Sequence, residues 1–81
     1  MKPLELKCER VRNGISTELA AKAIHKSPEA YKKKESGETR ITLDEVVTLS
    51  KLYKLSGQRI NEIFFDSQLP IGNNINLDIT L

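Results

Sequence analysis

The side chains with the clearest binding chemistry lie between residues 26 and 40, where cations and hydroxyls are concentrated. Lysine amines donate hydrogen bonds to guanine O6 and N7, and a glutamate accepts one from cytosine N4. Serine hydroxyls and additional cations hold phosphate groups, and the charged contacts are salt-dependent. The residues with these capacities are Lys26, Ser27, Glu29, Lys32, Lys33, Lys34, Ser36 and Arg40. Their chemistry predicts contacts with base edges and phosphates.

A helix that begins after Ser27 is predicted to position this set. The Ser27 hydroxyl can accept from amides at a helix start, Pro28 suits the first helical position, and Glu29 is favoured by the helix dipole. We expect this helix to cover about 28–36 and to end before Gly37. At about 100° per residue, one face packs and the other is exposed. The exposed face contains Glu29, Lys32, Lys33 and Ser36, and the opposite face contains Ala30 and Tyr31.

Two more helices are predicted before this one. The first covers residues 3–13 and ends at Asn13-Gly14. Its apolar residues at helical spacing are Leu4, Cys8 and Val11, with Leu6 beside them. We interpret Cys8 as a small buried apolar residue. The second helix is capped by Ser16 and ends near His25, and its apolar residues are Leu19, Ala20, Ala23 and Ile24.

Two helices are predicted after Gly37. Thr42 and Glu45 have the spacing of a capping box, in which each side chain satisfies a backbone amide near the other. The apolar stripe that follows is predicted to form much of the core and contains Leu43, Val46, Val47, Leu49 and Tyr53. Ser56 is expected to cap a fifth helix, with a staple between Leu55 and Ile60 and with Ile63 and Phe64 facing inward. The fold class is therefore predicted to be all-α.

The lysine run is open to a second interpretation, because charge runs are often solvated helix faces. The two short helices around His25 favour a helix-turn-helix instead, in which the second helix enters the DNA major groove by its N-terminal half.

Bulk composition limits the other classes of function. The chain has 81 residues, enough for one compact core, and a formal net charge of +2, too small to identify a nucleic-acid binder. One cysteine and one histidine cannot form an ordinary structural zinc site, so no metal and no cofactor are expected. The sequence has neither a catalytic motif nor an apolar run of the ~18 residues that a membrane span needs. We expect a cytoplasmic protein that is neither an enzyme nor membrane-bound.

The pattern changes after Asp66. Ile75, Leu77, Ile79 and Leu81 alternate with Asn76, Asp78 and Thr80, which is typical of a half-buried strand. We divide the chain into a helix-turn-helix domain at 1–65 and a tail at 66–81. The tail is expected either to pair with the same strand of a second copy, giving a homodimer, or to stay unstructured.

Several motifs resemble the Xre/Cro-like regulators, the lambda-repressor-like family, over about residues 4–65. They are Leu6-Lys7-x-x-Arg10, Gly14-Ile15-Ser16, Leu19-Ala20-Ala21, Ser27, Tyr31-Lys32-Lys33-Lys34-Glu35-Ser36-Gly37-Glu38 with Arg40, and Ile63-Phe64-Phe65. The last motif and the Tyr31 motif look most like small regulators of phages and mobile elements of Gram-positive bacteria.

This resemblance implies roles for particular residues. Arg10 and Glu35 would form an ion pair near a DNA phosphate, and residues 27–29 with Lys32 and Lys33 would face the bases. Thr17 stands where the family often has a glutamine that contacts phosphate and base. Relative to Gly14, the Leu-Ala pair comes one residue early, which leaves open whether Leu19 or Ala20 is buried.

Two functions follow from these features. The first is sequence-specific binding of double-stranded operator or promoter DNA as a homodimer, with the protein acting as a phage-type repressor or Cro-like regulator. The second is a protein-interaction module that binds another regulator, as an anti-repressor or antitoxin-like partner would, through the tail at residues 69–81.

Overall fold

The computed structural model describes residues 1–66, and five α-helices account for most of this range. They are α1 (Pro3–Arg12), α2 (Thr17–Ala23), α3 (Pro28–Glu35), α4 (Leu43–Leu52) and α5 (Gly57–Phe64). No strand occurs in residues 1–66, so the all-α prediction is confirmed. The strand predicted at residues 75–81, and the dimer contact assigned to it, lie outside the described residues.

Hydroxyl side chains start four of the helices, as the sequence predicts. Ser16, Ser27, Thr42 and Ser56 each accept a hydrogen bond from the backbone amide three residues further on. Thr42 and Glu45 form the complete capping box. Each cap satisfies an amide that the helix itself cannot pair, which is why these short sequences determine where the helices begin.

The core lies where α2, α3 and α4 meet, with α1 and α5 closing its sides. Tyr31, Tyr53, Leu6, Leu49 and Ile63 are its largest fully buried side chains. In α2 the buried residues are Ala20 and Ala21, small side chains that let α2 approach both α3 and α4. Leu19 is exposed and Ala20 is fully buried, which resolves the register of α2.

The predicted apolar face of α1 is wrong. Leu6 is buried, whereas Leu4, Cys8 and Val11 are exposed. The two sets lie on opposite sides of the helix, and the side that faces the core also contains the charged residues Glu9 and Arg10. These residues are buried because each pairs with an opposite charge, and sequence periodicity gives no signal for that. The prediction that Cys8 is buried is wrong for the same reason.

Leu43 is also exposed, although the sequence places it in the core stripe of α4. It occupies the first helical position directly after the Thr42 cap and is 66% exposed. The rest of the predicted stripe is buried or half-buried.

Arg59 joins α1 to α5 on the side away from α3. Its guanidinium lies 2.9 Å from carboxylate oxygens of Glu5, Glu9 and Glu62. The hydrogen bonds that Arg59 donates to these carboxylates, led by those to Glu62 and Glu5, raise the pKa of Arg59 above its ordinary value. The cluster ties the start of the chain to α5.

Neither a membrane-spanning helix nor a metal-binding cluster is found among the described residues. Within residues 1–66, no helix combines the length and the apolar character required to cross a membrane. The same residues contain no group of three or more histidine, cysteine or acidic side chains arranged to hold a metal ion.

Candidate nucleic-acid interface

α3 has one face that packs against the core and one that is exposed to solvent. Tyr31 and Glu35 are buried, and the structure places four polar side chains on the opposite, exposed face. These are Glu29, Lys32, Lys33 and Ser36. The helix therefore presents a hydrogen-bonding surface to solvent while its other side is anchored in the core.

The turn before α3 fixes the angle at which it crosses α2. Ile24 closes α2, and the backbone amide of Lys26 donates to the carbonyl of Ala21 at 2.9 Å. His25 adopts a left-handed conformation with φ of 58°. Two consecutive helices that pack against each other across such a short turn are the geometry of a helix-turn-helix.

Several of the predicted binding residues lie together at the N-terminal end of α3. The Ser27 hydroxyl accepts from the amide of Ala30 at 3.1 Å, and Pro28 occupies the first turn. Lys26, Ser27, Glu29 and Lys33 line one shallow groove at this end of the helix. The N-terminus of a helix carries partial positive charge, so the helix dipole and the lysine side chains both favour binding of an anion in this groove.

A different groove adjoins the C-terminal half of α3, and it includes a residue that the sequence analysis missed. Lys32 and Ser36 line it from α3, and Pro3, Leu4 and Lys7 line it from α1. Lys7 is exposed, so it extends the positive surface of α3 onto α1. The motif Leu6-Lys7-x-x-Arg10 contained this lysine, but spacing alone did not show which way it faces.

Lys34 lines the same groove as Lys26 and Lys33 but is half-buried, and its amine is held within the chain. Its amine donates to the carbonyl of Arg40 at 2.9 Å and lies 3.0 Å from the Glu45 carboxylate. Burial alone would raise the pKa of Glu45, but the hydrogen bonds from the Thr42 amide and the Lys34 amine outweigh it and lower the pKa. Lys34 therefore holds the loop between α3 and α4 in place.

The ion pair implied for Arg10 and Glu35 is present. Arg10 Nε donates to Glu35 Oε1 at 2.7 Å, and Arg10 Nη1 donates to the carbonyl of Ile15 at 2.8 Å. Burial opposes the charge of Arg10, but the hydrogen bond and the negative charge of Glu35 outweigh it, and the pKa of Arg10 is raised. Arg10 is buried, so the structure does not bring it to the exposed face of α3.

Two tyrosines extend this pair across the core. The Tyr31 hydroxyl lies 2.9 Å from Glu35 Oε1 and 2.6 Å from the Tyr53 hydroxyl. Burial raises the pKa of Tyr53 to about 12, although its hydrogen bond with Tyr31 opposes the shift. Helical periodicity places both tyrosines among the apolar core residues and does not indicate a hydrogen bond between them. The available signal was general, since a buried tyrosine hydroxyl usually finds a partner.

The remaining predicted contacts lie around the edge of this surface. Thr17 is half-buried at the start of α2, and its hydroxyl donates to the Glu18 carboxylate at 3.3 Å. Ser36 donates to the carbonyl of Lys33 at 3.0 Å, and its oxygen remains exposed. Arg40 is exposed in the loop after α3.

A family model described as helix-turn-helix matches residues 6–60, which includes α2, the turn at His25 and α3. No curated protein and no solved structure matches the chain.

Proposed function

On the premise that this chain belongs to the helix-turn-helix family of the Xre and lambda-repressor type, we propose that it binds one operator sequence as a homodimer and represses transcription there. The family comprises DNA-binding transcription regulators and is not a family of enzymes. The observation that supports the proposal is the exposed polar face of α3, which is fixed from behind by the buried residues Arg10, Glu35 and Tyr31.

In this proposal, the N-terminal half of α3 enters the major groove. Lys32 and Lys33 donate to guanine O6 and N7, and Glu29 accepts from cytosine N4. Ser27 and Pro28 lie at the point of entry. The proposed contacts to the phosphates come from Thr17, Lys26, Ser36 and Arg40. Arg10, which the sequence resemblance placed near a phosphate, is buried and holds Glu35 of α3 in place instead. Base contacts give specificity, and phosphate contacts fix orientation.

Repression follows from occupancy. A protein bound across a promoter excludes RNA polymerase without any cofactor, and the promoter beside the protein's own gene is the natural first target. A homodimer would place its two α3 helices in successive major grooves, about 34 Å apart on one side of the DNA. The proposed route to the dimer is pairing of the tail strands, which the alternation over residues 75–81 supports.

The test compares two double variants that remove the same charge. Lys32→Ala with Lys33→Ala removes the proposed base contacts, and Lys51→Ala with Lys54→Asn removes two exposed lysines of α4 and the turn after it. Asparagine is chosen at residue 54 because Lys54 has a φ of 55°, which asparagine tolerates. We expect the first variant to lose at least about 10-fold in operator affinity, as the loss of good base contacts predicts.

The measurement is fluorescence anisotropy with the intergenic DNA beside the gene and with a shuffled duplex. Equal affinity of both double variants for the intergenic duplex would contradict the assignment of Lys32 and Lys33. Weak wild-type binding that is equal on both duplexes would refute operator recognition and favour the alternative, a module that binds a second regulator protein.

A further inference from the structure

α1 has an apolar stripe on the side that faces away from the core. The stripe consists of Leu4, Cys8 and Val11, which lie on one face because they are four and three residues apart. Leu4 is 71% exposed, Val11 is 59% exposed and Cys8 is exposed. Apolar side chains arranged in this way on a helix are normally covered, and nothing within residues 1–66 covers them.

The described chain ends beside the start of this stripe. The amine of Met1 lies 2.9 Å from the Asp66 carboxylate, and the amide of Lys2 donates to the carbonyl of Ile63 at 2.7 Å. Asp66 therefore lies beside the N-terminal end of α1, the end at which Leu4 is located.

The length of that segment is sufficient to cover the stripe. From Leu4 to Val11 the distance along α1 is about 10 Å, at 1.5 Å per residue. Residues 67–81 follow Asp66, and an extended chain advances by about 3.3 Å per residue. Residues 75–81 at the end of this segment can therefore reach Leu4, Cys8 and Val11.

The composition of the segment matches the surface. Ile75, Leu77, Ile79 and Leu81 alternate with polar residues, so an extended conformation would place all four on one side. A lone strand, or a ribbon of two, is marginal in water unless it packs against further strands or a helix. The uncovered stripe of α1 provides such a helix.

A second copy of the chain is a weaker candidate for the cover. Three side chains on one helix bury only a few hundred Å², whereas a stable interface needs roughly 1,000 Å² or more. A tethered segment avoids most of the translational and rotational cost of association, so a small contact area is enough.

We propose that the apolar side of residues 75–81 covers the stripe formed by Leu4, Cys8 and Val11 of the same chain. Leu4 also lines the groove that contains Lys32 and Ser36, so the covered stripe adjoins the proposed DNA interface. The outer edge of the segment remains free to pair with that of a second copy, so the inference is compatible with the proposed homodimer and does not rest on DNA binding.

Cys8 supplies the measurement, because it is the chain's single cysteine and lies in the middle of the stripe. The rate at which the thiol reacts with an aromatic disulfide reagent depends on access to the sulfur. Three full-length proteins are compared: the wild type, Leu77→Asn with Ile79→Asn, and the control Asn76→Ser with Thr80→Ser. Each rate is divided by the rate of the same protein unfolded in urea.

We expect the Leu77 and Ile79 variant to react at least about 10-fold faster than the wild type and the control, because only it removes the apolar cover from the sulfur. Equal rates in all three proteins would overturn the proposal. Protection that disappears on dilution would also overturn it, because the cover would then be a second copy. Circular dichroism verifies that each protein is folded.

DNA binding by the same three proteins separates this inference from the proposed function. If the wild-type protein does not bind the operator although its Cys8 reacts slowly, the proposed DNA-binding function is refuted. The proposal that residues 75–81 cover α1 would still stand. A second variant, Leu4→Ser with Val11→Ser, tests the same contact from α1. We expect it to speed release of Leu81 by carboxypeptidase, and an unchanged rate of release would count against the proposal.

Discussion

Tyr31 and Tyr53 place two phenolic hydroxyls 2.6 Å apart in the core, and each has a different role in the network. The Tyr31 hydroxyl also contacts Glu35, the carboxylate that pairs with Arg10. The backbone carbonyl of Tyr53 accepts from Asn13 Nδ2 at 2.9 Å. A continuous line of hydrogen bonds therefore joins the end of α4 to α3 and α1, which fixes the orientation of the exposed face.

The two hydroxyls differ in the cost of their removal. Tyr31→Phe leaves the Tyr53 hydroxyl without this partner and takes one donor from Glu35, so we expect the free energy of unfolding to fall by about 1–3 kcal/mol. Tyr53→Phe leaves Tyr31 bonded to Glu35, and we expect a loss of about 0.5–1.5 kcal/mol. Urea denaturation of the two variants measures both values. A larger loss for Tyr53→Phe would contradict the order of contacts described here.

Glu45 makes the stability sensitive to acid. Its pKa is lowered in the folded protein by the Thr42 amide and the Lys34 amine, which outweigh the effect of burial. The stabilisation is therefore fully present above the ordinary pKa of 4.5 and is lost as the pH falls through the lowered value. We expect Lys34→Met to lose less stability than the wild type on acidification from pH 5, measured by thermal unfolding. An identical pH profile would show that Lys34 does not stabilise the carboxylate.

Residue types alone predicted the exposed side chains of α3 but not the buried polar ones. Arg10 and Glu35 were paired through the family resemblance, because their separation in the sequence carries no local signal. Lys34 was assigned to the positive surface because the sequence does not show that α4 brings Glu45 next to it. A polar contact between distant elements becomes predictable only after the packing is known.

Among the elements, the loop after α3 depends on close contact with the start of α1. Gly37 has a φ of 83°, and a Cβ placed there would lie 3.3 Å from Pro3 Cγ. Gly14, which follows the Asn13 cap of α1, has a φ of 69°, and a Cβ placed there would meet no atom within 4 Å. The two glycines therefore share a backbone requirement but differ in their surroundings.

This difference gives a comparison of two alanine variants. Gly14→Ala forces alanine into the left-handed region, which costs about 1–2 kcal/mol of stability. Gly37→Ala incurs the same cost and also displaces Pro3, so we expect it to be the less stable variant in urea denaturation. Equal midpoints for the two would mean that the contact between Pro3 and residue 37 imposes no constraint on the fold.

The helix boundaries were predictable because their signals are local. A hydroxyl cap marks where α2, α3 and α4 begin, and Gly14 and Gly37 mark where α1 and α3 end, without reference to the rest of the chain. The inward face of α1 was not predictable in the same way. Two apolar patterns compete on a short helix, and the ion pairs of Glu9 and Arg10 decide which side is buried.

For the whole molecule, the formal net charge of +2 does not describe the surface around α3. Glu5, Glu9 and Glu62 surround Arg59 on the side of α1 and α5. Glu35 is paired with the buried Arg10, and Glu45 with the half-buried Lys34. The exposed cations near α3 are Lys7, Lys26, Lys32, Lys33 and Arg40. A protein of small net charge can therefore still bind a polyanion on one surface.

The salt dependence of binding then reports how many copies of the protein bind the operator. Each phosphate that a cation neutralises adds about 0.9 to the slope of log affinity against log salt concentration. Arg40→Ala removes one proposed phosphate contact from each copy, so we expect the slope to become shallower by about 1.8 for a dimer and by about 0.9 for a monomer. Lys51→Ala is the control and should leave the slope unchanged, because Lys51 is an exposed residue of α4 outside the proposed interface.

Anisotropy titrations between about 50 and 200 mM salt measure the slope. A decrease of about 0.9 would mean that one copy binds and would refute the homodimer, whereas no decrease would remove Arg40 from the phosphate contacts.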